Sequence, residues 1–174
     1  MNMMAHQAPL SPIEQTIFIR PIEEWDRPLV QEILENEWGS QTLISRGRHL
    51  DASALPGFIA QTTTKIQGLV TYHLTDRECE IITLNSFRSG QRIGSSLIEY
   101  TEEVARKRGA TRLWLITSND NLEALAFYQK RGFHISAIHP DAITEARTQK
   151  PEIPLLAENG IPIRDEIELT KHLY

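Results

Sequence analysis

A single cysteine, Cys79, stands in 174 residues, so no internal disulfide can form and the chain fits a reducing, cytoplasmic setting. No apolar run approaches the roughly 18 residues a membrane-spanning helix needs. The opening MNMMAHQAPLSP has neither a basic n-region nor an apolar h-region, so no membrane anchor or secretory leader is expected. Cationic runs are missing as well. Lys and Arg number 18 against 23 Asp and Glu, for a formal net charge of −5. That balance argues against nucleic acid as the main partner but leaves room for a local pocket that takes a small anion. Neither a phosphate-binding Gly-x-x-x-x-Gly-Lys-[Ser/Thr] loop nor a Gly-x-Gly-x-x-Gly fingerprint is present, and no repeat or low-complexity segment interrupts the chain.

What is there reads as one domain of mixed α/β character. Residues 1–16 are expected to be a flexible, Pro-containing tail, and residues 17–174 a single domain long enough to bury a sizeable core. IFIRPI predicts a first strand. EEWDRPLVQEILENEWGS places Trp25, Leu29, Val30, Ile33 and Leu34 at helical spacing, with Gly39 as the stop. QTLISRGRHLDASALPG is ambiguous, with a break at Gly47 and a turn at Pro56-Gly57. FIAQTTTKIQGLVTYHL predicts a hairpin, and ECEIITLNSF a central strand, apolar on both faces. A helix from near Gly94 carries Leu97, Thr101, Val104 and Ala105 on one stripe and closes at Gly109. TRLWLIT is a strand, SNDNLEALAFYQKRGF a helix capped by Asp120, and FHISAIH a strand. A short helix, a Pro-rich loop and a last strand, DEIELTKHL, complete the chain. Antiparallel strands interleaved with helices in this order predict a mixed, mostly antiparallel sheet with helices on both faces.

One junction is richer in small residues than a turn requires. In SFRSGQRIGSSLIEY, Gly90 and Gly94 flank the point where a strand gives way to a helix. A helix start presents unpaired N–H groups and a positive dipole end, which together favour an anion. On spacing alone two readings stand side by side: an anion cradle, or a strand-to-helix corner relieved by glycine.

Aligned on GQRIGSSL, this junction resembles motif A of the GNAT (GCN5-related N-acetyltransferase) superfamily, whose pattern is Arg/Gln-x-x-Gly-x-Gly/Ala. NLEALAFYQKRGF is similar to the family's second motif through Asn121, Ala124, Phe127, Tyr128, Gly132 and Phe133. The resemblance is firm from about Glu78 to Phe133. It implies the GNAT fold, with a V-shaped cleft between central strands, and acetyl-coenzyme A as co-substrate without a metal. It further implies that Gly90, Gln91, Arg92, Ile93, Gly94 and Ser95 hold the pyrophosphate, that Leu84 and Asn85 lie along the pantetheine arm, and that Asn121 and Tyr128 complete the coenzyme site. Two positions depart from the pattern: Ser89 stands in place of Arg/Gln, and Arg92 in place of the first Gly. Residue 92 still offers its N–H, while its Cβ restricts the approach of backbone to phosphate. The Arg92 side chain either reaches a phosphate or lies in solvent.

The implied chemistry is attack of an amine on a thioester carbonyl, which requires a proton acceptor, an oxyanion donor and a proton for the thiolate. By resemblance Tyr128 is the acid for the thiolate, the alternative being an aromatic packed between helix and sheet. For the base, period-2 geometry puts Glu78, Glu80, Ile82 and Leu84 on one strand face. Glu80 and Glu78 are the candidate bases, with water as a third route. Cys79 points to the other face as core, which favours direct transfer. The acceptor side of the family's site corresponds to a region containing Trp25, Trp38, Arg46, Arg48, His49, His139, Arg147 and the Asn159–Gly160 loop. Within it, SRGRH is suited to neutralise an anionic acceptor.

The reading is therefore an acetyl-coenzyme A-dependent N-acetyltransferase acting on a primary amine of a small molecule or peptide. A non-catalytic acyl-coenzyme A-binding module that senses ligand or serves a partner protein is the alternative, and a homodimer is compatible with either.

Overall fold

A computed structural model describes residues 16–174, and residues 1–15 of the expected tail lie outside the described residues. In chain order the elements are β1 (Phe18–Pro21), α1 (Arg27–Trp38), β2 (Thr42–Ser45), β3 (Arg48–Asp51), β4 (Gly57–Gln61), β5 (Ile66–Leu74), β6 (Glu78–Ser86), α2 (Ile93–Lys107), β7 (Arg112–Ser118), α3 (Leu122–Gln129), β8 (His134–His139), α4 (Ala142–Ala146) and β9 (Glu166–His172). No helix among the described residues is long and apolar enough to cross a membrane.

Glycine ends the helices where the sequence places it. Gly39 follows α1 with φ 70°, and its N–H bonds the Glu35 carbonyl, while Gly109 follows α2 with φ 83°. The N-terminal signal of α3 is shifted by one residue from expectation. Asn121, not Asp120, caps the helix, its Oδ1 accepting from the Ala124 N–H at 3.1 Å. The α1 stripe is also narrower than its spacing predicts. Val30 and Leu34 are buried, but a 3-10 turn over Glu24–Asp26 precedes the helix and takes Trp25 out of phase with it, leaving Trp25 74 % exposed. The ambiguous segment is a hairpin. Arg46 (φ 49°) and Gly47 (φ 71°) turn β2 into β3, with Ser45 opposite Arg48.

Seven strands form the main sheet in the order β1-β4-β5-β6-β7-β9-β8, and β6–β7 is its one parallel pair. Two apolar clusters sandwich it. Leu97, Ile98 and Ala105 of α2 pack with Val70, Ile81, Leu113 and Leu169 on one face. Val30 and Leu34 of α1 pack with Ile59 and Leu69 on the other. Fully burying each such Leu or Ile stabilises the fold by about 1.5–3 kcal/mol. Thr101, fully buried within α2, satisfies its hydroxyl by donating to the Leu97 carbonyl at 2.8 Å.

The cleft is a consequence of pairing that stops. β6 and β7 are in register only from Glu78↔Arg112 to Ile81↔Leu115. Beyond that point β7 runs on beside β9 to Ser118, while β6 stays with β5 as far as Ser86. A bulge lies at the parting: Thr71↔Thr83 is followed by Tyr72↔Ile81, which leaves Ile82 unpaired. The extra residue breaks the period-2 phase. Glu78, Glu80, Ile82 and Leu84 therefore do not share a face. Ile82 packs with the α1 cluster and Leu84 with the α2 cluster.

Candidate active site

The loop between β6 and α2 turns through two left-handed residues, Gly90 (φ 75°) and Arg92 (φ 55°), and Arg92 is the residue before the helix. Its side chain does not cap. The first inward bond of the helix is Ser96 N–H to the Arg92 carbonyl at 2.9 Å, so the Ile93, Gly94 and Ser95 amides have no intrahelical partner. These amides stand at the positive end of a 15-residue helix. They border a cavity of about 400 Å³ that is also lined by Leu84, Arg88, Asn121, Phe127, Tyr128 and Arg131. Arg131 lies 3.4 Å above the Phe127 ring and donates to Ser95 Oγ at 2.9 Å. Burial, and next the nearby Arg92, lower its pKa. Three guanidiniums and a row of free amides make this a site for a multiply charged anion.

Gly94 has a second explanation. A Cβ there would stand 3.0 Å from Phe127 Cζ, so its smallness lets α2 and α3 pack closely. Of the coenzyme-site residues expected from sequence, Leu84, Gly90, Arg92, Ile93, Gly94, Ser95, Asn121 and Tyr128 line this one cavity. Gln91 belongs to the loop but not to that lining. Asn85 turns its side chain to the opposite face, where Oδ1 accepts from Trp38 Nε1 at 3.0 Å.

Tyr128 is both packed and accessible. Its ring meets Phe127 and Phe133 edge-on at 5.1 and 5.4 Å. Burial drives its phenol well above the ordinary range. Among the described residues nothing hydrogen-bonds its hydroxyl, yet that oxygen is not sealed off from the cavity. A neutral phenol facing a pocket is suited to donate a proton and ill suited to ionise.

A second cavity, about 510 Å³, lies on the other side of the cleft and shares one lining residue, Asn121, with the first. Its walls are mainly apolar, from Trp38, Leu43, Ile82, Ile116, Ile143 and Ile163. Glu80, Glu152 and Glu166 supply carboxylates to it. Glu80 is 2 % exposed, and both its oxygens are engaged: Ser45 Oγ donates to Oε1 at 2.5 Å and Arg48 donates to Oε2. Glu78 is more open and pairs with Arg112 at 3.1 Å. Cys79 lies in the core, its thiol pushed up to about 12 by burial and then by Glu80.

The cations of SRGRH are committed internally. Arg46 faces Glu168 at 3.9 Å, Arg48 holds Glu80, and both guanidiniums lie over the Trp114 ring at 5.5 and 5.9 Å. His49 contacts Gln149 at 2.7 Å, and His139 contacts Glu168 at 3.4 Å. Arg147 donates to the carbonyls of Ile153, Pro154 and Ile163, fastening the Pro-rich loop. Asn159 donates to the Asp120 carbonyl at 2.9 Å. Trp25 does not line either cavity.

Sequence reasoning missed Trp114, Glu166 and Glu168. The signal was the alternation in DEIELT, which sets Glu166 and Glu168 on one face and Ile167 and Leu169 on the other. Only the burial of that face, with Glu166 at 7 % and Glu168 at 5 % exposure, gives the alternation chemical meaning.

Comparison with known proteins agrees with this fold. Bacillus subtilis (strain 168) protein YxbD, itself uncharacterized, is 41% identical over 156 residues, which is 89% of this chain and 98% of that protein. The solved structure titled IAA acetyltransferase from Bacillus cereus ATCC 14579 superposes with a TM-score of 0.65 at 23% identity, covering 91% of this chain and all of that one (100%). A GNAT family acetyltransferase from Elizabethkingia anophelis, solved with acetyl-CoA bound, gives 0.64 at 21% identity over 91% of this chain and 99% of its own. Residues 13–133 match the Acetyltransferase (GNAT) family, and the chain belongs to it.

Proposed function

We propose that the protein is an N-acetyltransferase that moves an acetyl group from acetyl-coenzyme A directly to a primary amine of a small molecule or peptide. The observation that carries this reading is a pair of cavities sharing Asn121, one suited to a polyanion and the other mostly apolar. A two-substrate transfer needs such a pair of sites meeting at one point.

In this reading the Ile93–Ser95 amides and the guanidiniums of Arg92 and Arg131 take the pyrophosphate. Leu84 lies along the pantetheine arm, and the unpaired stretch of β6 offers backbone groups to it. The Asn121 carboxamide oxygen is spent on the helix cap, leaving its NH₂ for the ligand. Tyr128 protonates the departing thiolate. The route is direct because the chain's one thiol, Cys79, is buried and held protonated.

Release of free thiol from acetyl-coenzyme A across a panel of amines tests the reaction, and Tyr128→Phe tests the role. The ring stays, so coenzyme affinity and melting temperature should hold while kcat falls roughly ten- to a thousandfold. Full turnover by Tyr128→Phe would remove the hydroxyl from the mechanism. Coenzyme binding with no thiol release on any amine would favour a non-catalytic module.

A further inference from the structure

The face of the sheet toward the apolar cavity buries three carboxylates, Glu80, Glu166 and Glu168, each less than a tenth exposed. Two are neutralised in place. Glu80 holds Arg48, and Glu168 holds Arg112, with Ser136, His139 and Arg46 around it. Glu166 differs, because among the described residues it forms no ion pair. It begins β9 opposite Ser118, the last residue of β7, at the open end of the cleft, and it lines the cavity that shares Asn121 with the coenzyme site. A buried carboxylate held by no ion pair is costly unless a counter-ion arrives. The counter-ion that this chemistry lacks, and that an amine substrate brings, is an ammonium.

Resting on the proposed transfer to an amine, we infer that Glu166 binds the acceptor's ammonium group and takes its first proton, and that the acceptor is a monoamine with an apolar body. The body follows from the walls, whose larger share is apolar through Leu43, Ile82, Ile116, Ile143 and Ile163, while Glu80 is taken by Ser45 and Arg48 and Lys150 by the Thr42 carbonyl. The step balances as follows. R–NH₃⁺ gives one proton to the Glu166 carboxylate, and the freed lone pair attacks the thioester carbon. As the C–N bond forms and the C–S bond breaks, the nitrogen's second proton ends on sulfur by way of the Tyr128 hydroxyl. Glu166 then returns its proton to solvent, so the products are the N-acetylamine, the free thiol and H⁺.

Burial raises the Glu166 carboxyl above its ordinary value, and the charge of Glu80 adds to the rise. His139 on β8, the Arg46 amide in the β2–β3 turn and the Arg46 guanidinium offset part of it. Lys150 and Glu152, from the segment after α4, line the same cavity. A carboxyl shifted upward is the better proton acceptor near neutrality, and its activity is lost as pH falls through its own titration.

The probe is phenethylamine, with spermidine and glycine as comparison amines, and the variants are Glu166→Gln and Glu166→Asp. With coenzyme A saturating, calorimetric affinity for phenethylamine should fall at least tenfold in Glu166→Gln, while coenzyme affinity holds and the melting temperature does not fall. With acetyl-coenzyme A, kcat/KM for phenethylamine should fall about 10²–10⁴-fold. Glu166→Asp should recover part of that loss. The acid limb set by Glu166 in the wild type should be replaced in Glu166→Gln by one displaced to higher pH, where the rate follows the fraction of free amine. Three results would each overturn the inference and leave the coenzyme site standing: an unchanged profile in Glu166→Gln, preference for spermidine or glycine, or no phenethylamine binding by the coenzyme-loaded wild type. Failure of coenzyme A itself to bind would instead refute the proposed function, and this inference with it.

Discussion

Glu80→Gln separates a fastener from a base. In the structure the Glu80 carboxylate joins the β2–β3 hairpin to the sheet, one oxygen accepting from Ser45 and the other from Arg48. The hairpin forms part of the wall of the apolar cavity through Leu43, Ile44 and Ser45. Hydrogen bonds to a charged group contribute about 1.5–3 kcal/mol each. Glutamine keeps one acceptor for Arg48 and can still meet the Ser45 hydroxyl, and the Arg48 side chain, 42% exposed, can recover water. The expected loss is therefore the lower part of that range, about 1.5–2 kcal/mol, or a drop of roughly 3–8 °C in melting temperature for a domain of this size. Calorimetry gives the shift. Hydrogen exchange reports where it falls, with faster exchange expected in Thr42–Asp51 and little change in β7 or β9. In turnover, a loosened wall should raise the acceptor KM more than it lowers kcat. A kcat reduced a hundredfold or more, with melting temperature and hairpin protection unchanged, would refute this reasoning and make Glu80 the proton acceptor.

Two further outcomes test the frame around the site. Arg92 occupies a left-handed backbone conformation that disfavours a side chain, and its one ion pair, to Glu99 at 3.6 Å, joins two exposed groups. Arg92→Gly should therefore stabilise the fold by about 0.5–1 kcal/mol and raise the melting temperature by about 1–4 °C in calorimetry. At the start of α1, hydrogen bonding from Arg20, at 2.6 and 2.8 Å, holds the Asp26 carboxyl below its ordinary value. Its contribution is full above the unfolded carboxylate pKa and is lost as pH falls through the lowered folded value. Asp26→Asn should accordingly be less stable than wild type at pH 7 by about 1–3 kcal/mol, and the gap should close as both are titrated toward pH 2 in denaturant melts.

Local signals were legible where one residue type answers one backbone demand. Gly39 and Gly109 stop helices because each sits at positive φ. The apolar stripe of α2 and the strands flanking it follow directly from periodicity; the anion site at its start does not, because spacing left a glycine-relieved corner equally open and only the resemblance to motif A chose between them. Long-range pairing was not legible. β9 inserts between β7 and β8, a choice made by the sheet as a whole and invisible in any window of sequence. The β2–β3 hairpin was obscured because SRGRH is polar; its cations are satisfied by Glu80 and Glu168, which lie far away in the chain. Asp120 and Asn121 are adjacent and chemically alike as caps, so only the observed bond to Ala124 decides between them.

The bulge at Ile82 shows why the candidate site resisted a period-2 reading. Had β6 kept strict alternation, Leu84 would face the same way as Glu80, and one strand face would serve both substrates. The extra residue falls just beyond Ile81, the last position paired with β7. A bulge bends its strand and increases the local twist, so it favours parting from the neighbour at that place. It also reverses which side chains look to which face. Before it, Glu78 and Glu80 look toward Arg46 and Arg48 of the hairpin, with Glu80 alone reaching the apolar cavity; after it, Leu84 looks toward α2 and the coenzyme cavity. One inserted residue thus accounts for two needs of a transfer site: an opening between strands through which the substrates can meet, and a single strand that contributes to both sides of it.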